Sequence, residues 1–298
     1  MAKEKLRLGI VGHGFVGKAV DYGFEHPLVE KFYVDPKYDT DIDDLINWKP
    51  NATFICVPTP MNNDGTIDPI YVYDAVFKLL NHNDGGIIIK STVTPDVIEE
   101  LVKKAGTQAK MKRLVYNPEF LTEKNAEEQF VNPAFQVLGG HHESTQSVLE
   151  LYRTHSIVNK CEFHMMGLLE ASFVKYAINA FLATKVTFFN QLYDVCDITG
   201  SNFSLITRAI AADPRVGDTH MKVPGYDKKR GYGGACFPKD VKAFINFGMG
   251  NLSLLEKVDE INNEYRKDYD KDEREVAQNV NYGETKEELQ GELQLSAE

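Results

Sequence analysis

Leu6-Arg-Leu-Gly-Ile-Val-Gly-His-Gly-Phe-Val-Gly17 reads as a short apolar strand, a glycine turn and the opening of a helix that runs to about Glu25. The six residues from Gly12 match G-x-G-x-x-G, whose glycines allow a tight turn, close approach of a pyrophosphate, and tight helix-strand packing. Asp35 follows 21 residues after Gly14, at the end of a second strand, 31–34. A carboxylate there can bind ribose hydroxyls and repels a 2′-phosphate, so NAD is favoured over NADP. The expected cofactor contacts are Gly12, Gly14, Phe15, Val16, Gly17 and Asp35.

Further strands at 53–57, 86–90, 113–116, 136–138 and 159–164 alternate with helical stretches such as 96–104 and 144–154. That alternation predicts an α/β, Rossmann-like, doubly wound parallel sheet over residues 1–166, with ligands at the carboxyl ends of the strands. Residues 168–199 then contain no Gly or Pro and close at Gly200, which predicts one long helix, apolar nearly all round and therefore buried. With helices at 203–212, 240–247 and 253–265, it makes an all-helical second domain, 167–265. From Glu264 to Glu298 there are 11 acidic residues against 5 basic ones and almost no large apolar residues, so 266–298 reads as an acidic solvated tail.

The 298 residues are 43% hydrophobic with a net charge of −11, which argues against a nucleic-acid surface and points to a small-molecule partner. No apolar run approaches the roughly 18 residues of a membrane span, and the N-terminus runs straight into a strand pattern, so a soluble, cytoplasmic protein is expected. Four cysteines, Cys56, Cys161, Cys196 and Cys236, are spaced for neither a disulfide framework nor a metal site.

Cys236 stands apart. In Gly231-Tyr-Gly-Gly-Ala-Cys-Phe-Pro-Lys-Asp240 glycines clear its approach, Pro238 suits a helix start whose positive end favours a thiolate, and Lys239 and Asp240 follow at once. Lys175 and Asn179 share one face of the long helix, either as part of a structural ion pair or as an oxyanion site. Asn117-Pro-Glu-Phe-Leu-Thr-Glu123 looks like a helix start with Glu119 and Glu123 on one face, either solvated or catalytic. Thr59 in Val57-Pro-Thr-Pro60 and Thr92 in Lys90-Ser-Thr-Val93 end successive strands, as helix caps or as ligand contacts.

From Leu6 to about Asn262 the chain resembles the UDP-glucose/GDP-mannose dehydrogenase family, with five motifs in the family's order. The resemblance implies NAD-dependent, four-electron oxidation of a nucleotide sugar's 6-hydroxymethyl group to a carboxylate, UDP-glucose to UDP-glucuronate in the leading case, for polysaccharide biosynthesis. It implies that Cys236 forms a thiohemiacetal and then a thioester, that Lys175 and Asn179 hold the oxyanion, and that Asp240 with Thr92 activates water while Glu119 assists proton transfer. It also assigns Thr59, Thr92, Glu123 and Lys239 to the cofactor. To the sugar nucleotide it assigns Glu119, Phe120, Leu121, Lys175, Asn179, Tyr232 and Gly233, with Arg215, Lys222 and Arg230 available for phosphate. A homodimer through the long helices is expected, and so is the absence of the family's third domain, which holds much of the nucleotide. Asn132-Pro-Ala-Phe-Gln136 stands where the family has Asn-Pro-Asp-Arg, which puts that arginine's contacts in question. The link Val223–Arg230 is longer than the family's, and Lys228, Lys229 and Arg230 in it suit either a pyrophosphate or an exposed basic turn.

Two other functions stay open on the residues. A two-electron 3-hydroxyacid-type dehydrogenase shares the K-x-x-x-N spacing of Lys175 and Asn179 but leaves Cys236 idle. A non-catalytic nucleotide-sugar or NAD binding protein needs none of Cys236, Lys175, Asn179 and Asp240 together.

Overall fold

The computed structural model describes residues 5–283. Seven strands form one sheet: β1 (Leu6–Val11), β2 (Val29–Val34), β3 (Ala52–Ile55), β4 (Gly86–Ile89), β5 (Leu114–Tyr116), β6 (Phe135–Gly140) and β7 (Glu162–Met166). Their order is β2-β1-β3-β4-β5-β6-β7. Neighbours run parallel except β5 and β6, which pair antiparallel through Val115 with Gly140 and Tyr116 with Gly139. The expected parallel sheet is therefore mixed at one seam. Helices α1 (Phe15–Gly23), α2 (Ile42–Trp48), α3 (Ile70–His82), α4 (Pro95–Ala105), α5 (Gln108–Met111), α6 (Ala126–Val131) and α7 (His142–His155) connect the strands.

The short runs of β3 and β4 are buried at nearly every residue, as central parallel strands covered on both faces must be. Leu8, Ile10, Phe54, Ile88, Val115 and Leu138 of the sheet pack with Val20, Phe24, Phe130 and Tyr152 in one core. Each such side chain contributes about 1.5–3 kcal/mol by leaving water. Helices α2, α3, α5 and α6 are not marked in the sequence pattern. α2 opens with a capping box, in which Asp41 accepts from Asp44 N–H at 2.9 Å and Asp44 accepts from Asp41 N–H at 3.2 Å. α3 buries Val72, Ala75, Val76, Leu79 and Leu80, an apolar stripe at helical spacing.

The chain divides into two compact units, residues 5–59 with 67–175, and residues 60–66 with 176–283. The division falls inside the long helix α8 (Leu168–Thr199), after Lys175, rather than ahead of it at 166. The first turns of α8 belong to the sheet's unit because they pack on it. A methyl group on Gly139 would lie 2.5 Å from Ala171 Cβ, and Ser172 donates its hydroxyl to the carbonyl of Val93 at 2.7 Å.

The second unit is helical, with the rest of α8, then α9 (Phe203–Ala211), α10 (Phe237–Phe247), α11 (Ser253–Arg266) and α12 (Glu273–Ala277). α8 is not buried all round. Phe181, Phe188 and Val195, seven residues apart, are exposed together with Ile198, while Tyr176, Ala183, Phe189 and Cys196 on the other side are buried. The acidic segment also differs from the expectation of a solvated tail. Arg266, Glu275, Val280 and Tyr282 are buried, and Met61 N–H donates to the carbonyl of Gln278 at 3.0 Å. Residues 284–298, the remainder of that expected tail, lie outside the described residues.

Candidate active site

The dinucleotide turn has the steric signature its glycines predict. Gly12 adopts φ +84°, and a Cβ there would stand 2.6 Å from the Cys56 carbonyl oxygen. A Cβ on Gly17 would stand 2.0 Å from the Gly12 oxygen, whereas one on Gly14 would meet nothing within 4 Å, leaving the space a diphosphate needs. Phe15 and Val16 turn their side chains to the core. What they can offer an anion is backbone, at the start of α1, where N–H groups have no partner four residues back. Asp35 caps the turn: one carboxylate oxygen accepts from His13 N–H at 2.7 Å and the other from Lys37 N–H at 3.2 Å. Burial works against the Asp35 charge, but these two N–H groups and the nearby Lys37 cation hold its carboxyl below the usual range. The cradle fits a dinucleotide.

Sequence reasoning missed the residues that brace this turn. His13 is buried, with Nε2 3.1 Å from Asp21 and Nδ1 3.0 Å from Lys37 Nζ and from the Tyr38 hydroxyl. An ammonium beside Nδ1 makes that nitrogen the acceptor and leaves the proton on Nε2, facing Asp21. Lys37 also donates to the His13 carbonyl at 2.7 Å, bringing a cation beside Asp35. The available signal was Lys37 two residues after Asp35.

At the strand ends, Thr59 donates its hydroxyl to the Thr92 carbonyl at 2.9 Å, and Ser91 donates to the Val57 carbonyl at 2.7 Å. The two loops carrying Thr59 and Thr92 are thereby tied together. Neither threonine caps a helix through its side chain.

The segment after Asn117 is not the helix start its sequence suggests: 117–122 is extended loop, Glu123–Asn125 forms a single 3-10 turn, and α6 begins only at Ala126. The side chain of Asn117 is drawn inward instead of capping. It donates to Gln136 Oε1 and the Val137 carbonyl and accepts from Tyr152 hydroxyl at 2.7 Å and Lys90 Nζ at 3.0 Å. Glu119 therefore does not share a helix face with Glu123, whose side chain lies outside the described residues. Glu119 accepts from Leu121 N–H at 2.7 Å and from Lys175 Nζ at 2.9 Å, and Lys175 also donates to the Glu119 carbonyl at 2.7 Å. Both side chains are buried. Burial alone would raise the Glu119 carboxyl, yet Lys175, the Leu121 N–H and the more distant Lys90 outweigh it and hold the group below its ordinary value. Phe120 lies under the Lys175 ammonium, 5.5 Å from ring centroid to Nζ. Lys90, closing β4, is pulled down to about 8 by burial.

In the second unit Cys236 forms the N-cap of α10, and its carbonyl accepts from Asp240 N–H at 2.9 Å. Asp240 is almost fully buried and bridges two donors: Lys239 Nζ to Oδ1 and Asn179 Nδ2 to Oδ2, each at 2.6 Å. Tyr232 and Gly233 precede the thiol on a backbone held by Asn262, which accepts from Tyr232 N–H at 2.6 Å and donates to its carbonyl at 3.1 Å. The Tyr232 hydroxyl is buried and has no hydrogen-bond partner among the described residues.

The basic residues proposed for phosphate are differently placed. Arg230 bonds Asn190 and Asp194 and stacks 4.6 Å from the Tyr265 ring, so its guanidinium is occupied within the fold. Arg215 forms a surface pair with Asp213, and Lys229 donates to the Asp270 carbonyl. Lys222 lies exposed over the Tyr226 ring.

Models of two domains match the chain: the NAD binding domain of the UDP-glucose/GDP-mannose dehydrogenase family over residues 26–156, and its central domain over residues 169–264. The chain belongs to the UDP-glucose/GDP-mannose dehydrogenase family. It is 34% identical to a UDP-glucose 6-dehydrogenase of Rickettsia felis over 197 residues, 65% of this chain and 43% of that one. It is 33% identical to the UDP-glucose 6-dehydrogenase TuaD of Bacillus subtilis over 251 residues, 80% of this chain and 52% of that one. The chain thus spans about half the length of the curated relatives it matches. Among solved structures, a UDP-glucose dehydrogenase from the archaeon Pyrobaculum islandicum superposes with a TM-score of 0.75 at 27% identity, covering 88% of this chain and 69% of that one. A 3-hydroxyisobutyrate dehydrogenase of Mycobacterium tuberculosis superposes at 0.67 with 14% identity, covering 86% of this chain and 92% of that one, a likeness of fold alone. Fold therefore does not separate the two chemistries. Among the described residues no three His, Cys, Asp or Glu are grouped to hold a metal, and no helix is long and apolar enough to cross a membrane.

Proposed function

We propose that the protein oxidises the 6-hydroxymethyl group of a nucleotide sugar, UDP-glucose in the first instance, to a carboxylate. The observation that carries this reading is Asp240, buried in the first turn of α10, one turn after Cys236 and clamped by Lys239 and Asn179. A two-electron dehydrogenase has no use for a thiol at a helix N-terminus with a fixed carboxylate one turn away. Bound at the glycine turn, NAD would supply the hydride acceptor.

Lys175 and Asn179 stand one turn apart on α8 and offer a cation and an amide donor to an oxygen that gains charge. The thiol sulfur of Cys236 adds to the aldehyde carbon, the proton passing to the carbonyl oxygen, and the α10 N-terminus favours the thiolate that attacks. After the second oxidation, water displaces sulfur from the acyl carbon and the thiol regains its proton. Asp240 orients that water. Glu119 is ionised at neutral pH, so it accepts a proton and fixes Lys175 rather than acting as an acid. Lys239 balances Asp240 beside the thiol. Tyr232, Gly233, Phe120, Leu121 and Lys222 are assigned to the sugar nucleotide. Arg215 and Arg230, occupied by Asp213 and Asp194, are less suited to phosphate.

A homodimer goes with this reading, supported by the apolar stripe of Phe181, Phe188 and Val195. So does a reducing, cytoplasmic setting for a catalytic thiol. The test is stoichiometric. Wild-type protein incubated with NAD and UDP-glucose should give two NADH per uronate, and Cys236→Ser should form none. One NADH per product, or full four-electron turnover by the serine variant, would overturn the covalent route.

A further inference from the structure

Residues 266–283 lie beyond the family match, which ends at 264, and they pack on the glycines ahead of Cys236. Glu275 is fully buried and ionically paired with Arg266 at 2.7 Å. Its Oε1 also accepts from Gly234 N–H at 3.0 Å and the Tyr282 hydroxyl at 2.6 Å, while Oε2 accepts from Asp272 N–H at 2.9 Å. Arg266, 1% exposed, pairs at its other end with Asp227, in the long link between Val223 and Arg230. The packing is close. A Cβ on Gly233 would stand 2.1 Å from Arg266 Nη2 and 2.6 Å from Glu275 Oε1. Gly234, at φ +81°, lies two residues before the thiol.

We propose that this segment is a strap that fixes the cysteine loop, with Glu275 as its positioning residue: the carboxylate holds Gly234, and through Arg266 it locks the loop to the 223–230 link. Burial opposes the Glu275 charge, but Tyr282, the N–H groups of Gly234 and Asp272, and Arg266 more than offset it, so the group is an ionised acceptor at neutral pH. An amide cannot replace it. Four donors converge on its two oxygens, and the NH2 of a glutamine would face a donor on one side. The strap acts on the backbone that carries both Cys236 and the substrate-side residues Tyr232 and Gly233, so its loss should slow the chemistry while leaving NAD binding at the glycine turn unchanged. That kinetic consequence rests on the catalytic reading of Cys236 above.

Glu275→Gln, with Tyr282→Phe as a milder variant that keeps the charge, tests the strap by amide hydrogen exchange and by kinetics. In Glu275→Gln, exchange in peptides covering 231–236 should rise about ten- to a hundredfold, the loss of hydrogen bonds to one buried charge. Tyr282→Phe should give a smaller rise in the same peptides, and Val276→Ser, on the exposed face of α12, should give none. With NAD and UDP-glucose, Glu275→Gln should lower kcat at least about tenfold while the KM for NAD stays within about twofold. Unchanged exchange at 231–236 in both Glu275→Gln and Tyr282→Phe refutes the strap whatever the activity. Faster exchange with unchanged kcat refutes the positioning role. If wild-type protein does not turn over, the error lies in the proposed function, and the exchange arm still decides the strap. If Glu275→Gln does not fold, Tyr282→Phe carries both measurements.

Discussion

Removing the cation from the Glu119–Lys175 pair should destabilise the first unit severely, and acid should partly reverse the damage. Lys175→Met keeps most of the side chain's volume while leaving a buried carboxylate with one backbone donor, Leu121 N–H. At the observed 2.9 Å the mutual attraction is about 6 kcal/mol for an effective dielectric near 20. Desolvation of the two ions offsets much of that, so the pair's net worth is small. The cost of breaking it is not, about 3–5 kcal/mol for an uncompensated buried charge. Glu119→Gln in the Lys175→Met background removes the stranded charge and should recover most of the loss.

The pH dependence supplies an independent sign. In wild-type protein the Glu119 carboxyl is held below its unfolded value, so its contribution is fully present above the unfolded carboxylate range and is lost as pH falls through the lower folded one. In Lys175→Met burial is left largely unopposed and the folded value moves above the unfolded one. That variant's deficit should therefore shrink as pH falls from neutral, by at most about 1.4 kcal/mol per unit. The chain's one tryptophan, Trp48, lies in the same unit as the pair, its ring 5.6 Å from that of Phe32. Urea unfolding followed by Trp48 fluorescence thus reads the four corners of a double-mutant cycle. A Lys175→Met deficit under about 1 kcal/mol at neutral pH, or strictly additive single variants, would refute the reasoning.

Asp35→Ser should shift the ratio of kcat/KM for NADP over NAD by at least about tenfold, because it removes the carboxylate that repels a 2′-phosphate and leaves Lys37 beside the site. Steady-state rates with the two cofactors decide it, and an unchanged ratio would place the ribose elsewhere. Phe181→Asp combined with Phe188→Asp puts two charges on the exposed stripe of α8. Sedimentation should show a dimer for wild-type protein and a monomer for the variant, since an apolar interface does not tolerate unpaired carboxylates. A monomeric wild type at micromolar concentration removes that interface.

Periodicity located the sheet, the long helix and the glycine turn because each imposes a repeating demand on the sequence. β3 and β4 had to be buried at nearly every position, and 168–199 had to lack Gly and Pro. The antiparallel seam between β5 and β6 left no such mark, since strand direction depends on the connection rather than on composition. The loop at Asn117 misled for a related reason. Asn-Pro-Glu is a good helix start in isolation, but Lys90, Gln136 and Tyr152 offer Asn117 a fuller set of partners, and those residues are 19 to 35 positions away. Tertiary hydrogen bonding overrode a local preference. The 266–283 segment was misread by composition: its charges look solvated, yet Arg266 and Glu275 neutralise each other inside the fold.

Three buried ion pairs hold candidate residues, one in the first unit, Glu119 with Lys175, and two in the second, Asp240 with Lys239 and Glu275 with Arg266. Well-packed apolar residues in their places would hold the fold as well or better, because the desolvation of two ions consumes most of their attraction. What an apolar substitute cannot do is fix the direction of a side chain or a backbone N–H to within a few tenths of an ångström. Each pair does that for a different object. The first orients an ammonium on α8, the second a carboxylate one turn after Cys236, and the third the glycine backbone two residues before it. Because the first pair lies in one compact unit and the other two in the second, their stabilities are separable by experiment. A variant that breaks Glu119–Lys175 should unfold the Trp48 unit at lower urea and leave exchange at 231–236 slow, while Glu275→Gln should do the reverse. Coupled losses in both variants would mean that the two units fold as one, and that the pairs serve stability rather than placement.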